Sequence, residues 1–309
     1  MPLILALAPL ALVVLSSLAP SARADCPEIL VPAYQYPTVG DMWARIAATP
    51  AWANVGVILN PNSGPGTVAD ASYVSAVTGA RTAGVKLYGY VFTSYGARPP
   101  AQVLAEVATY QSLYGPLRGV FLDEMDNQPA SLAYYQSLTS SIHTLMPGSI
   151  VIGNPGTPVP EQFFALSAAD VIVTYEDAAD DVANPYAAAA PPTWASAYPA
   201  ARFGHIIYNI PTSAAMRQTL ALAESRHVGV VYITSDTLPN PYDTLPSYFE
   251  QELRPCAADF NCSQSVSVQD IFDFLGAWFA GARAADFNGV GGITVQDIFA
   301  FLAAWFAGC

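Results

Sequence analysis

Eight short apolar runs recur between residues 29 and 233, and their alternation with longer alanine-rich stretches constrains the fold more than any other feature. The runs cover 29–33, 55–59, 85–92, 119–122, 150–152, 171–173, 204–208 and 228–233. Short apolar segments bounded by turn residues read as buried strands. The stretches between them, 68–83, 101–114, 131–145 and 214–226 among them, have helical character, and several follow Pro or a turn former. Eight strand and helix alternations in about 230 residues predict a (β/α)8 TIM barrel, class α/β, in preference to an open sheet. We assign it residues 25–254.

Nearly every run leaves on polar or aromatic side chains. The exits carry Tyr34 and Tyr36, Asn60 and Asn62, Thr93 to Tyr95, Asp123 and Glu124, Asn154, Tyr175 to Asp177, Asn209, and Thr234 to Asp236. In a parallel barrel these positions share the C-terminal mouth, where active sites of this fold sit. The fourth exit is the most pointed, because packing gives a buried strand no reason to end in two adjacent carboxylates. Adjacent strand residues alternate faces, so only one of Asp123 and Glu124 enters the mouth unless the strand bends or ends there. With Glu176 two exits further on, these carboxylates can converge on one bond, as glycoside hydrolysis requires. Tyr34, Tyr36, Tyr90, Tyr95 and Tyr175 offer flat faces for sugar rings. Asn60, Asn62, Asn154, His205, Tyr208 and Asp236 form a second set of substrate-binding candidates. His205 also reads as a buried strand histidine, and Asp236 as a helix cap.

The N-terminal segment 3–18 is apolar, interrupted by Pro9, and runs into Ala22-Arg23-Ala24, a small-x-small cleavage pattern. It predicts a signal peptide over residues 1–24 and a secreted or cell-surface protein. No later run reaches the roughly 18 apolar residues of a membrane span. The formal charge is -13, and Lys86 is the only lysine. Removing residues 1–24 takes away one arginine and no acid, giving -14. Such a surface argues against nucleic acid and anionic membranes as partners, since phosphate binding needs clustered cations. A neutral or cationic polysaccharide fits better.

From residue 255 onward the composition changes. Residues 258–282 recur as 285–309, offset by 27, with 16 of 25 positions identical. Each copy ends in an amphipathic helix, and two such helices facing each other make a small core. A unit of about 54 residues then needs a staple of metal or disulfide. Asp259, Asn261, Ser263, Ser265 and Asp270 fall at positions 1, 3, 5, 7 and 12 of a calcium loop. Asp286, Asn288, Gly292 through its carbonyl, Thr294 and Asp297 form the second set. Gln264 replaces the loop glycine in the first copy, and Val290 removes a side-chain ligand in the second. The repeat resembles a dockerin module, a small all-α, EF-hand-like unit, which implies structural Ca2+ and a cohesin-like or cell-surface partner. Cys256 and Cys309 bracket it, so a clamp between them is the preferred disulfide, leaving Cys26 with Cys262.

The barrel carries a resemblance too. Val31-Pro32-Ala33-Tyr34, the heptad Asn60 to Gly66, Gly89-Tyr90-Val91, Gly119 to Glu124, and Tyr175-Glu176 occur in order over most of residues 29–250 and resemble the spherulin-4 family. The resemblance implies glycoside hydrolase family 135, a (β/α)8 barrel, and endo-α-1,4-N-acetylgalactosaminidase activity on galactosaminogalactan without a catalytic cofactor. It carries the catalytic set onto Asp123, Glu124 and Glu176, with Glu124 and Glu176 as the acid/base and nucleophile pair and Asp123 as a stabilising or alternative nucleophilic carboxylate. Two other readings stay open: a non-catalytic glycan-binding or scaffold-docked surface protein, and a hydrolase of another α-galactosyl polymer.

Overall fold

A computed structural model describes residues 27–50, 53–253, 258–261, 265–288 and 292–308. The segment read as a signal peptide, all four cysteines and Ser263 lie outside the described residues.

Eight strands close into an all-parallel barrel in which each pairs with its sequence neighbours and the eighth returns to the first. They are β1 (Glu28–Ala33), β2 (Val55–Leu59), β3 (Lys86–Phe92), β4 (Gly119–Asp123), β5 (Ile150–Gly153), β6 (Val171–Ala178), β7 (Phe203–Tyr208) and β8 (Val230–Ile233). Helices α1 (Met42–Ala47), α2 (Ala71–Thr82), α3 (Pro100–Tyr114) and α4 (Leu132–Leu145) wrap the first half. The expected barrel is therefore present, and its second half is thinner than expected. Helix α5 (Gln162–Ala165) is one turn long, and between β6 and β7 the chain makes only 3-10 turns at Tyr186–Ala188, Ala195–Ala197 and Ala200–Arg202. Pro185, Pro191, Pro192 and Pro199 explain this, since each lacks the N–H an α-helix needs. Helices α6 (Ser213–Ser225) and α7 (Phe249–Leu253) complete the ring. Among the described residues no helix is long and apolar enough to cross a membrane.

One glycine shows how tightly the barrel closes. A Cβ at Gly119 would sit 1.8 Å from the backbone oxygen of Ile150, so β4 meets β5 where no side chain fits. At the N-terminal end, Lys86 donates to Glu28 at 2.5 Å and to Asn54 at 2.8 Å. The chain's only lysine is thus engaged at the face opposite the mouth, where residues serve stability.

Strand β6 departs most from expectation. Its apolar run stops at Val173, yet it pairs with β7 as far as Ala178↔Tyr208, across a register shift between Val173 and Tyr175. Tyr175, Glu176 and Asp177 therefore belong to the strand and not to its exit. The bulge resets the alternation of side chains, the means by which bulges re-aim residues beside active sites.

The duplicated region forms α8 (Val268–Phe279) and α9 (Val295–Ala307) around a separate core of Phe260, Phe274, Ala285 and Phe301. Phe274 and Phe301, equivalent in the repeat, stack at 4.3 Å and 7°. Trp278 donates to the Thr294 carbonyl at 2.9 Å, and Trp305 to that of Ser267 at 2.8 Å. Each copy thus binds the other through the same contact, the reciprocity of a two-fold interface within one chain.

Candidate active site

Five side chains at the mouth form a continuous hydrogen-bonded row. Tyr90, on β3, donates its hydroxyl to Asp123 Oδ2 at 2.8 Å. Asn154 Nδ2, just past β5, donates to Asp123 Oδ1 at 2.8 Å and to Glu176 Oε2 at 2.5 Å. Tyr242, on the loop after β8, donates to Glu176 Oε1 at 2.5 Å. The orientation of Asn154 is unambiguous, because its Oδ1 accepts the Gly156 N–H at 3.0 Å and leaves only the amide protons for the carboxylates. Every oxygen of both carboxylates has a donor.

Tyr34 sits behind this row, edge-on to Tyr90 at 6.0 Å and to Tyr242 at 5.6 Å. Burial raises the hydroxyl pKa of Tyr34, and burial together with Asp123 and Glu176 respectively raises those of Tyr90 and Tyr242. All three stay protonated donors at neutral pH. Glu176 is also pushed up, first by burial of its carboxyl and next among the raising causes by the charge of Asp123, with the bonds from Tyr242 and Asn154 opposing.

The fourth exit resolves through its backbone. Strand β4 ends at Asp123, and Glu124 takes φ +51, a left-handed conformation unusual for a non-glycine residue. The turn is held by its carbonyl, which accepts the Thr93 hydroxyl at 2.7 Å and the Tyr95 N–H at 2.8 Å. Strand alternation therefore stops between the two acids. Sequence reasoning favoured Glu124 with Glu176 and kept Asp123 as a stabilising or alternative nucleophilic carboxylate; in the structure it is Asp123 that shares a donor with Glu176.

The other candidates divide between rim and scaffold. Tyr95 is 67% exposed and free to meet a ligand at the rim. Tyr208 is half-buried beside the site and donates to Asp177 Oδ1 at 3.2 Å. Tyr36 instead donates to Asp70 at 3.0 Å, outside the row. Asn60 Oδ1 accepts the Gly64 N–H at 3.0 Å and shapes its own loop, in which Asn62 is exposed. Tyr175 turns away from Glu176, packs on Tyr186 at 4.8 Å and donates to the carbonyls of Ala178 and Asn184. His205 is a strand histidine with both ring nitrogens engaged, by Tyr186 at 2.9 Å and Thr174 at 3.2 Å. Burial, then Arg226, lowers its pKa to about 3, so it is neutral. Asp236 caps no helix; its carboxylate accepts the Thr244 hydroxyl at 2.6 Å and closes the loop that carries Tyr242.

Tyr242 is the site residue that sequence reasoning missed. Its signal was an aromatic residue in the turn-rich segment Pro239-Asn240-Pro241-Tyr242 after the eighth run, analogous to Pro32-Ala33-Tyr34 after the first.

In the C-terminal repeat, Asp270 accepts from the Asn261 and Ser267 N–H groups at 3.1 and 2.7 Å. Asp297 accepts from those of Asn288 and Thr294 at 3.0 and 2.7 Å. The oxygens expected at position 12 of each calcium loop thus already have donors. Among the described residues Asp286 Oδ1 is buried without a partner. Among the described residues no three His, Cys, Asp or Glu side chains cluster as a metal site.

A profile of spherulation-specific family 4 matches residues 28–255. Spherulin-4 of Physarum polycephalum is 33% identical over 236 residues, spanning 73% of this chain and 68% of that protein. The crystal structure of Aspergillus clavatus Sph3 in complex with GalNAc aligns with a TM-score of 0.62 at 24% identity, covering 77% of this chain and 98% of that one. At that identity the likeness speaks for the barrel fold.

Proposed function

Because the chain belongs to spherulation-specific family 4, we propose that its barrel mouth hydrolyses α-1,4-linked galactosamine and N-acetylgalactosamine polymers from within the chain. The observation that carries this reading is the shared donor between Asp123 and Glu176. Their bridged oxygens can lie no farther apart than the sum of 2.8 and 2.5 Å. Retaining glycosidases hold their carboxyl groups about 5–5.5 Å apart, and inverting enzymes leave room for a water between them. The spacing favours retention.

The surroundings of the two carboxyls support a division of roles. Glu176, whose proton affinity burial raises, is the general acid: it protonates the glycosidic oxygen as the leaving chain departs. Asp123, held on both oxygens, attacks the anomeric carbon and forms a glycosyl-enzyme ester. Glu176, now ionised, then takes a proton from water, whose oxygen attacks the same carbon and releases Asp123. Glu124, whose charge acts on the Tyr90 hydroxyl, would add a third carboxylate to the mouth, and Tyr95 offers a rim surface for a sugar ring. An acidic mouth also suits a partly deacetylated, cationic chain.

The test is incubation with partly deacetylated α-1,4-galactosaminan, with mass spectrometry of soluble oligosaccharides and early NMR of the new reducing ends. Wild type should release oligosaccharides of retained anomeric configuration, and Asp123→Asn and Glu176→Gln should release almost none. No release by wild type, or release unchanged in both variants, rejects the reading. We further propose export through the 1–24 segment and a dockerin-like tail that binds structural calcium and a cohesin-like or cell-surface partner. Support comes from the apolar N-terminal run, the duplication and the orphaned Asp286 oxygen. A tail melting transition unmoved by a calcium chelator would count against the metal.

A further inference from the structure

We propose that Tyr242 is a positioning residue that orients the Glu176 carboxyl within the mouth, an inference that rests on Glu176 being the general acid. Tyr242 is the one member of the row that lies well along a loop, nine residues past the end of β8, so its placement needs explaining. The loop is pinned to the first exit: the Tyr34 N–H donates to the Tyr242 carbonyl at 3.1 Å. The Tyr242 N–H donates to Asn240 Oδ1 at 3.2 Å, and the ring, 8% exposed, lies perpendicular to that of Tyr34. Backbone and ring are thereby fixed, and the hydroxyl points at one atom, Glu176 Oε1.

The geometry is paired. Tyr90 does for Asp123 what Tyr242 does for Glu176, with Tyr34 edge-on to both rings and Asn154 between the carboxylates. A carboxyl held from both sides cannot rotate, and a general acid must present its proton within hydrogen-bond reach of the leaving oxygen. The hydroxyl has a second consequence. Burial makes Glu176 hold its proton, and the bond from Tyr242 is the first of the opposing causes, ahead of that from Asn154. Without it Glu176 would release its proton less readily, and the second step, which needs the ionised form, would slow.

Tyr242→Phe removes only the hydroxyl and keeps the ring against Tyr34. In substrate-free protein, the 13C resonance of the Glu176 carboxyl, assigned by its loss in Glu176→Gln, reports the titration directly. In Tyr242→Phe its midpoint should rise by about one pH unit, a tenfold change in the protonation equilibrium. With galactosaminan, kcat should fall about tenfold at near-constant KM, as expected for loss of one positioned acid/base contact. The basic limb of the pH profile should move up with the NMR midpoint. An unchanged midpoint overturns the proposal, and so does a lower kcat with an unmoved limb, which marks a packing defect. If the midpoint rises but wild type cleaves no galactosaminan, Tyr242 still positions Glu176 and the hydrolytic reading is what fails.

Discussion

The barrel and the C-terminal repeat each contain a pair of engaged carboxylates, and the two pairs have opposite surroundings. In the repeat, Asp270 and Asp297 are fully buried and satisfied chiefly by backbone N–H groups of their own loops. Each sits at the third position of its helix in a capping box, with Ser267 or Thr294 as the N-cap. In the barrel, Asp123 and Glu176 are held by side chains from three other segments, Tyr90, Asn154 and Tyr242, and Glu176 is raised where Asp297 is lowered. Backbone donors lock a carboxylate in its ionised form, which serves structure. Tyrosine and asparagine donors around a desolvated carboxyl leave it able to exchange a proton, which serves chemistry.

The largest expected effect breaks the comparison at its chemical end. Glu176→Gln should cut turnover of galactosaminan by about a thousandfold, within the range of losing a general acid, while Asp270→Asn leaves the rate unchanged. Steady-state kinetics of both variants decide this. A rate lost with Asp270→Asn would mean that the repeat takes part in the reaction.

The next effect separates the two regions by stability. Phe274 stacks face to face on Phe301 in a small core that, among the described residues, buries four hydrophobic side chains. Phe274→Ala should cost about 3–5 kcal/mol, as for other large-to-small aromatic changes. That is as much as a core of such size supplies, so the repeat should unfold while the barrel keeps its cooperative transition. Calorimetry of the full chain should lose one transition and retain the other. Simultaneous loss of both would make the two regions one folding unit.

A third set of measurements uses pH. His205 is depressed to about 3 by burial, so the unfolded chain, titrating near 6.5, binds the proton first. Its contribution is complete above about pH 6.5 and is lost as pH falls toward 3. The stability advantage of wild type over His205→Gln should narrow over that window. Asp297 is lowered: burial alone would raise it, but the N–H groups of Asn288 and Thr294 prevail. Its contribution is complete above the unfolded value near 3.9 and fades as pH drops through the folded one. The gap between wild type and Asp297→Asn should therefore persist at pH 5, where that for His205→Gln has already shrunk. Denaturant titrations at stepped pH read both gaps.

How much of this was legible in the sequence depends on the range of the interaction concerned. The eight strands were legible because apolar runs between turn signals are local, and so was the duplicated core, since a 27-residue offset repeats Phe274 as Phe301. The position of Glu176 within β6 was not, because the strand continues past its apolar run only by pairing with β7 across a bulge. Asn154 was visible as a polar exit but not as the bridge between two acids, and Tyr242 showed only as an aromatic in a turn-rich segment, with nothing to link it to the mouth. Its role depends on a loop more than 200 residues from Tyr34 folding back onto the first exit. Apolar periodicity records which face of an element is buried. It carries no information about which two exits meet.

The smallest effect sharpens the contrast by adding a carboxylate from the barrel that does the repeat's kind of work. Asp70 is the N-cap of α2, where its side chain accepts the Ser72 and Tyr73 N–H groups at 2.8 and 3.2 Å, with the Tyr36 hydroxyl at 3.0 Å. The residue is only half-buried, so water can replace the donors' partner when the carboxylate is removed. Asp70→Ala should cost about 1 kcal/mol, the usual cost of losing a cap. Asp297 is itself without exposure and its two N–H bonds are part-buried, so Asp297→Ala should cost the repeat more, toward the penalty of about 1–3 kcal/mol for an unmet buried donor. Chemical denaturation of the two variants, each followed in its own transition, measures the difference. Equal costs would mean that burial of the donors, and not only their number, has been given too much weight in separating the two regions.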